Sequence, residues 1–176
     1  VKNVLATVSA IVAQTLDTRS SVADFVTALD SRIKSLARTH ELLSQSRWSG
    51  VSLAEIARRE LAPYAADNVQ IGGPSVTLRA EAAQVMAMVL HELTTNAAKY
   101  GAFSDRNGRV SLRWQWLRNG SSGRLAIEWQ EIGGPKVSPP TQHGYGASVI
   151  REIIPFELGG TVELAFPEQG VKCRME

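Results

Sequence analysis

Cysteine is almost missing from these 176 residues: the lone Cys173 excludes an internal disulfide framework and any multi-cysteine zinc site. Histidine is nearly as scarce. His40, His91 and His143 are scattered along the chain and leave little room for a metal centre. An excess of charge of one sign is lacking too. Lys and Arg number 19 against 17 Asp and Glu, a net charge of +2, and a dedicated nucleic-acid binder normally carries a strong basic excess on one face. No apolar run is long enough to span a bilayer; the longest candidate, residues 4–16, is short and carries Thr, Ser and Gln. Nor do a basic start, an apolar block and a small-residue cleavage site occur together, so nothing reads as a signal peptide. Repeats and low-complexity tracts are also absent. What remains is 44% hydrophobic residues, enough for a core in one medium domain or a small domain with an appendage. The expectation is a reduced, cytoplasmic, globular protein. The start at Val1, without methionine, suggests a fragment or trimmed chain.

The chain opens with helical periodicity. Val1, Leu5, Val8 and Val12 recur one or two turns apart, with Val4 and Ile11 beside them. A polar turn at residues 17–21 separates this stretch from a second one. There Val22, Leu29, Leu36 and Leu43 are seven apart, as are Val26, Ile33 and His40. That heptad seam predicts a helix packed on another helix, and the short turn predicts an antiparallel hairpin. Much apolar surface would stay uncovered, so a second copy or another domain is expected on it.

A boundary falls at Trp48-Ser49-Gly50. Beyond it, residues 53–64 predict a helix ended by Pro63, and residues 69–78 one or two short strands. Residues 80–100 predict a long helix capped by Gly101. Val110, Leu112, Trp114 and Trp116 alternate with polar residues, as do Leu125, Ile127 and Trp129. The two runs flank a loop at residues 119–123 and predict a hairpin. A Gly/Pro-rich loop covers residues 133–146. Residues 147–158 predict a helix that Pro155 kinks or ends. Gly159-Gly160 then turns the chain into a strand at 161–166, and Gly170 leads into a last strand. The fold class is α+β: an N-terminal helical hairpin followed by helices layered on a mostly antiparallel sheet.

Three segments carry chemistry. In the helix that contains His91, Glu92, Thr95, Asn96 and Lys99 fall on one narrow face at about 100° per residue. Such a polar stripe is commonly only a solvated surface. An amide, an acid and a lysine at this spacing also suit a Mg²⁺–phosphate site, because Mg²⁺ takes oxygen ligands and keeps several waters. In the second segment, alternation through Leu125, Ile127 and Trp129 aims Glu131 inward. A buried carboxylate needs a donor, and the amino group of adenine is one. The alternative is a strand that ends at Gln130 and lets Glu131 turn to solvent. Gly133-Gly134 permits a flat ring to approach closely. The third segment, Gly144-Tyr145-Gly146, runs into a helix whose first N–H groups favour phosphate, although a lone Gly-x-Gly is weak evidence.

In this order the segments resemble the HWE subfamily of sensor histidine kinases, whose name denotes a His in one box and Trp-x-Glu in the next. Here these are His91 and Trp129-Gln130-Glu131, followed by Gly133-Gly134-Pro135 and Gly144-Tyr145-Gly146. Pro74 after Gly72-Gly73, and Trp48-x-Gly50, are similar as well. The run 91–102 is the most specific part; Tyr145 stands where Phe is more usual.

The resemblance implies a Bergerat-type (GHKL) α/β sandwich over residues 49–176, after a hairpin over residues 1–48 for dimerisation and phosphotransfer. It implies that Asn96 holds Mg²⁺ and that Glu131 meets adenine. Gly133, Gly134, Gly144, Tyr145 and Gly146 would line the nucleotide, with Tyr100. Glu92 is the acidic position used as a base in related ATPases, and Lys99 would contact phosphate. His91 lies about 100° from Glu92 and is expected to orient its neighbours. The acceptor histidine would lie two residues before Val1. His40, in the helix seam, and His143, in the lid, are not assigned that role. The implied activity is ATP–Mg²⁺-dependent autophosphorylation of a histidine, then transfer to an aspartate of a response regulator receiver domain. An upstream sensor domain and a homodimer through the hairpin are the implied partners, with no nucleic acid. The alternatives are a phosphotransfer scaffold with a degenerate nucleotide domain, or a GHKL ATPase or protein-serine kinase.

Overall fold

The structure, a computed structural model, describes residues 22–46, 49–64, 67–119, 122–136 and 145–176. The expected first helix, the turn at 17–21, Trp48, the centre of the hairpin loop and the lid residues 137–144, with Gly144 and His143, lie outside the described residues.

Helix α1 (Val22–Gln45) leads through a short strand β1 (Val51–Ser52) into α2 (Leu53–Leu61). The latter closes with a 3-10 turn at Ala62–Tyr64, so Pro63 tightens the helix end rather than stopping it outright. Strands β2 (Val69–Gly72) and β3 (Thr77–Leu78) precede the long α3 (Ala80–Tyr100). The hairpin β4 (Arg109–Asn119) and β5 (Ser122–Ile132), helix α4 (Tyr145–Leu158), β6 (Val162–Ala165) and β7 (Lys172–Met175) complete the chain. A five-stranded sheet has the order β2-β4-β5-β7-β6, and only its β2–β4 pair is parallel. Strands β1 and β3 pair separately.

Register explains how the sheet builds its core face. Ile71, Leu112, Trp129, Cys173 and Leu164 stand opposite one another in a row across all five strands. Trp114, Ile127 and Met175 form the next row, and Val110 faces Glu131 in the row on the other side. These side chains meet Val89, Leu90, Leu93 and Ala97 of α3 and Ile150 and Ile154 of α4 in one apolar cluster. Burial pushes the Cys173 thiol up to about 12, which keeps it an inert packing group. Trp116 departs from the expected pattern: it is 51% exposed. Its pair with Leu125 extends past the last residues that β2 and β7 cover, so the hairpin tip outruns the core.

The heptad seam also divides. Leu36 and Leu43 are buried, and Leu42 and Leu43 join the core cluster of the sandwich, whereas Val22, Val26 and Ile33 are exposed. Helix α1 thus lays its C-terminal half on α3. Pro155 stands inside α4, where its ring forgoes one i→i−4 hydrogen bond without ending the helix; the helix stops at Gly159, whose φ is +64°.

Candidate functional site

Glu131 lies on the inward face of β5, as alternation predicts, and is 2% exposed. Its donors are internal. The Ala102 N–H donates to Oε2 at 2.9 Å and the Trp129 indole N–H donates to Oε1 at 3.1 Å. Burial pushes the carboxyl up from its usual value, and those two hydrogen bonds pull it partly back. Glu131 therefore ties the strand to the turn that ends α3. That turn explains Gly101. Its φ of −121° is not the left-handed geometry expected of a helix cap. Glycine is needed because a Cβ there would strike the Glu131 carboxylate. Gly133 and Gly134 are close-approach positions too, but the space goes to the chain itself: Asn107 backbone at Gly133, Gly101 and Ala102 backbone at Gly134.

The polar stripe of α3 is not a solvated face throughout. Glu92 is 5% exposed; Asn96 is half-buried; Lys99 and Tyr100 are exposed. Helix α4 begins at Tyr145, two residues before the start expected at residue 147, so Gly146 sits in its first turn. A Cβ on Gly146 would meet Glu92 Oε2 at 2.9 Å and the Asn96 amide at 3.0 Å. The structure thus brings together Glu92, Asn96 and the N-terminal end of α4. Glu131 lies beside Gly101, which stands just past the C-terminal end of α3 and five residues along the chain from Asn96.

Sequence reasoning did not find what α1 contributes. The Arg32 guanidinium donates to Glu92 through Nε at 2.6 Å and Nη2 at 3.1 Å, with both side chains buried. Beside this pair, His91 Nδ1 lies 3.0 Å from Glu60 Oε2, and Nε2 lies 2.9 Å from Ser31 Oγ. The Ser35 hydroxyl donates to Glu60 Oε1 at 3.0 Å, and Arg38 approaches the same oxygen at 3.5 Å. His91 therefore faces the junction of α1, α2 and α3, away from Asn96. The available signal was the spacing of Ser31, Arg32, Ser35 and Arg38: one and two turns apart, a polar face on a helix otherwise read from its leucines.

Burial pushes the Glu60 carboxyl up, but the His91 hydrogen bond and charge, then Ser35 and Arg38, outweigh it and hold the group below its ordinary 4.5. A carboxyl lowered on folding contributes stability that is present above its unfolded value and lost as pH falls through the folded one. Glu60→Gln should therefore cost stability at neutral pH, and the gap from the parent chain should shrink below about pH 4.5. Urea unfolding at several pH values checks this; a gap that stays constant through pH 3 contradicts it.

Residues 1–75 match the family model described as HWE histidine kinase. A blue-light-activated histidine kinase of Rhizobium johnstonii is 33% identical over 99% of this chain and 50% of its own length. One from Brucella anthropi is 29% identical over 97% of this chain and 35% of its own. This chain thus spans half or less of the curated relatives it matches. Among solved structures, the Erythrobacter litoralis EL346 blue-light activated histidine kinase superposes with a TM-score of 0.70 at 17% identity, over 99% of this chain and 57% of that one. At that identity the likeness speaks for the fold alone.

Proposed function

We propose that the chain belongs to the HWE histidine kinase family and is the ATP-dependent kinase core of a two-component relay. Its fold is a helical N-terminal part on a GHKL α/β sandwich. The observation that carries the proposal is the seat of Gly146 on Glu92 and Asn96. A helix N-terminus with no Cβ between it and an amide–carboxylate pair is a cradle for phosphate oxygens. Asn96 would supply an amide oxygen to Mg²⁺, which needs few protein ligands when phosphates and waters complete its shell. Among the described residues no three His, Cys, Asp or Glu side chains gather as a cation cage, so the cation would depend on the phosphates.

Glu131 uses two lone-pair positions on Ala102 and Trp129 and retains others for the adenine amine. Lys99, exposed one turn beyond Asn96, is free to follow the phosphates, and Tyr100, Gly133, Gly134, Gly144 and Tyr145 would border the nucleotide. When bound, the metal ion neutralises phosphate charge. The chain's own part is to position the γ-phosphorus for attack by an imidazole nitrogen, with ADP leaving. The phosphoryl group would then pass to a receiver-domain aspartate. A homodimer through the hairpin, an upstream sensor domain and a cytoplasmic setting belong to the same proposal. No described helix is long and apolar enough to cross a membrane.

Calorimetric titration with ATP and Mg²⁺ tests it. Saturable binding is expected, and Asn96→Ala should remove its Mg²⁺ dependence while leaving the fold intact. No heat at millimolar ATP would instead support a scaffold with a degenerate nucleotide domain.

A further inference from the structure

Helix α1 delivers a buried cation to the carboxylate beside the proposed phosphate cradle. Arg32 is 8% exposed and grips Glu92 through two hydrogen bonds. The same carboxylate abuts Asn96 and the first turn of α4 at Gly146. One side chain thus joins three helices: its own α3, α1 through Arg32, and α4 through the missing Cβ. An unpaired carboxylate at this position would repel a polyanion in a partly desolvated setting, where charges are poorly screened. Arginine is suited to cancel it, being always charged and matching both carboxylate oxygens at once.

We propose that Arg32 is a positioning residue for nucleotide binding: it neutralises Glu92 and pins it against α4, so that the cradle accepts a triphosphate while α1 is docked. Withdrawing α1 would strip the guanidinium from Glu92 and turn the cradle against phosphate. Ser31, Ser35 and Arg38 set the register of that docking through His91 and Glu60. The inference rests on the ATP-binding reading above and adds how helix α1 controls that site.

The test is titration of the full chain with adenosine, ADP and ATP at constant Mg²⁺. Arg32→Met should weaken ATP by about tenfold or more, ADP by less, and leave adenosine unchanged. Adding Glu92→Gln to Arg32→Met should return ATP affinity to within about twofold of the parent chain. Equal weakening of adenosine and ATP would mean that Arg32 only holds the fold, and unchanged ATP affinity would overturn the proposal outright. Should Arg32→Met not fold, Glu92→Gln alone decides: ATP must bind at least as tightly as to the parent, and weaker binding refutes the charge argument. A parent chain that binds no nucleotide defeats the ATP reading itself, a different outcome from all of these.

Discussion

Glu131→Ala is expected to be the most damaging single change in the sandwich, lowering stability and nucleotide affinity together. The side chain is buried and accepts from the Ala102 N–H and the Trp129 indole. Truncation leaves both donors unpartnered, at about 1–3 kcal/mol for a buried polar group, and adds a cavity under Gly101. A loss of about 3 kcal/mol in urea unfolding is the expected sum. Trp129→Phe separates the two roles. It removes only the indole donor and keeps most of the packing, so stability should fall by about 1–2 kcal/mol with Glu131 still in place to meet adenine. Adenosine affinity should then survive Trp129→Phe and disappear in Glu131→Ala. Unchanged adenosine affinity in Glu131→Ala would leave Glu131 a clamp of the chain and remove it from the nucleotide site.

Asn96→Ala should do the reverse, sparing the fold and removing the chemistry. Asn96 is half-buried, and its amide faces the first turn of α4 instead of filling the core. The unfolding free energy should change by less than about 1 kcal/mol. Mg²⁺-dependent phosphorylation, in a chain extended upstream to include the acceptor histidine that the resemblance places there, should fall by at least about 10²-fold, the cost of removing one preorganised polar group from a transition state. Retained activity would end the metal assignment.

Much of the fold is legible because alternation and helical period are local signals. The inward set Leu112, Trp114, Ile127, Trp129 and Glu131 and the bounds of α3 follow from the sequence directly. Trp116 is misread because alternation says which face a residue takes but not how far the neighbouring strands extend. Glu131 is predicted inward, yet its donors come from positions 102 and 129, and the first of these meets it only through tertiary packing. The same reason hides the Arg32–Glu92 pair, whose members lie 60 residues apart. The heptad pattern of α1 gives apolar spacing but is blind to which half of a helix finds an internal surface. Glu92, read as part of a polar stripe, is buried because α1 lies on it.

The most direct test of the kinase assignment is phosphorylation of the upstream-extended chain with γ-labelled ATP and Mg²⁺, followed by acid and alkali treatment. The predicted result is label that is lost in acid and survives alkali, as a phosphorus–nitrogen bond on histidine requires. Acid-stable label would place the chain among protein-serine kinases of the same fold, and release of phosphate with no labelled protein would make it an ATPase; either result contradicts the account.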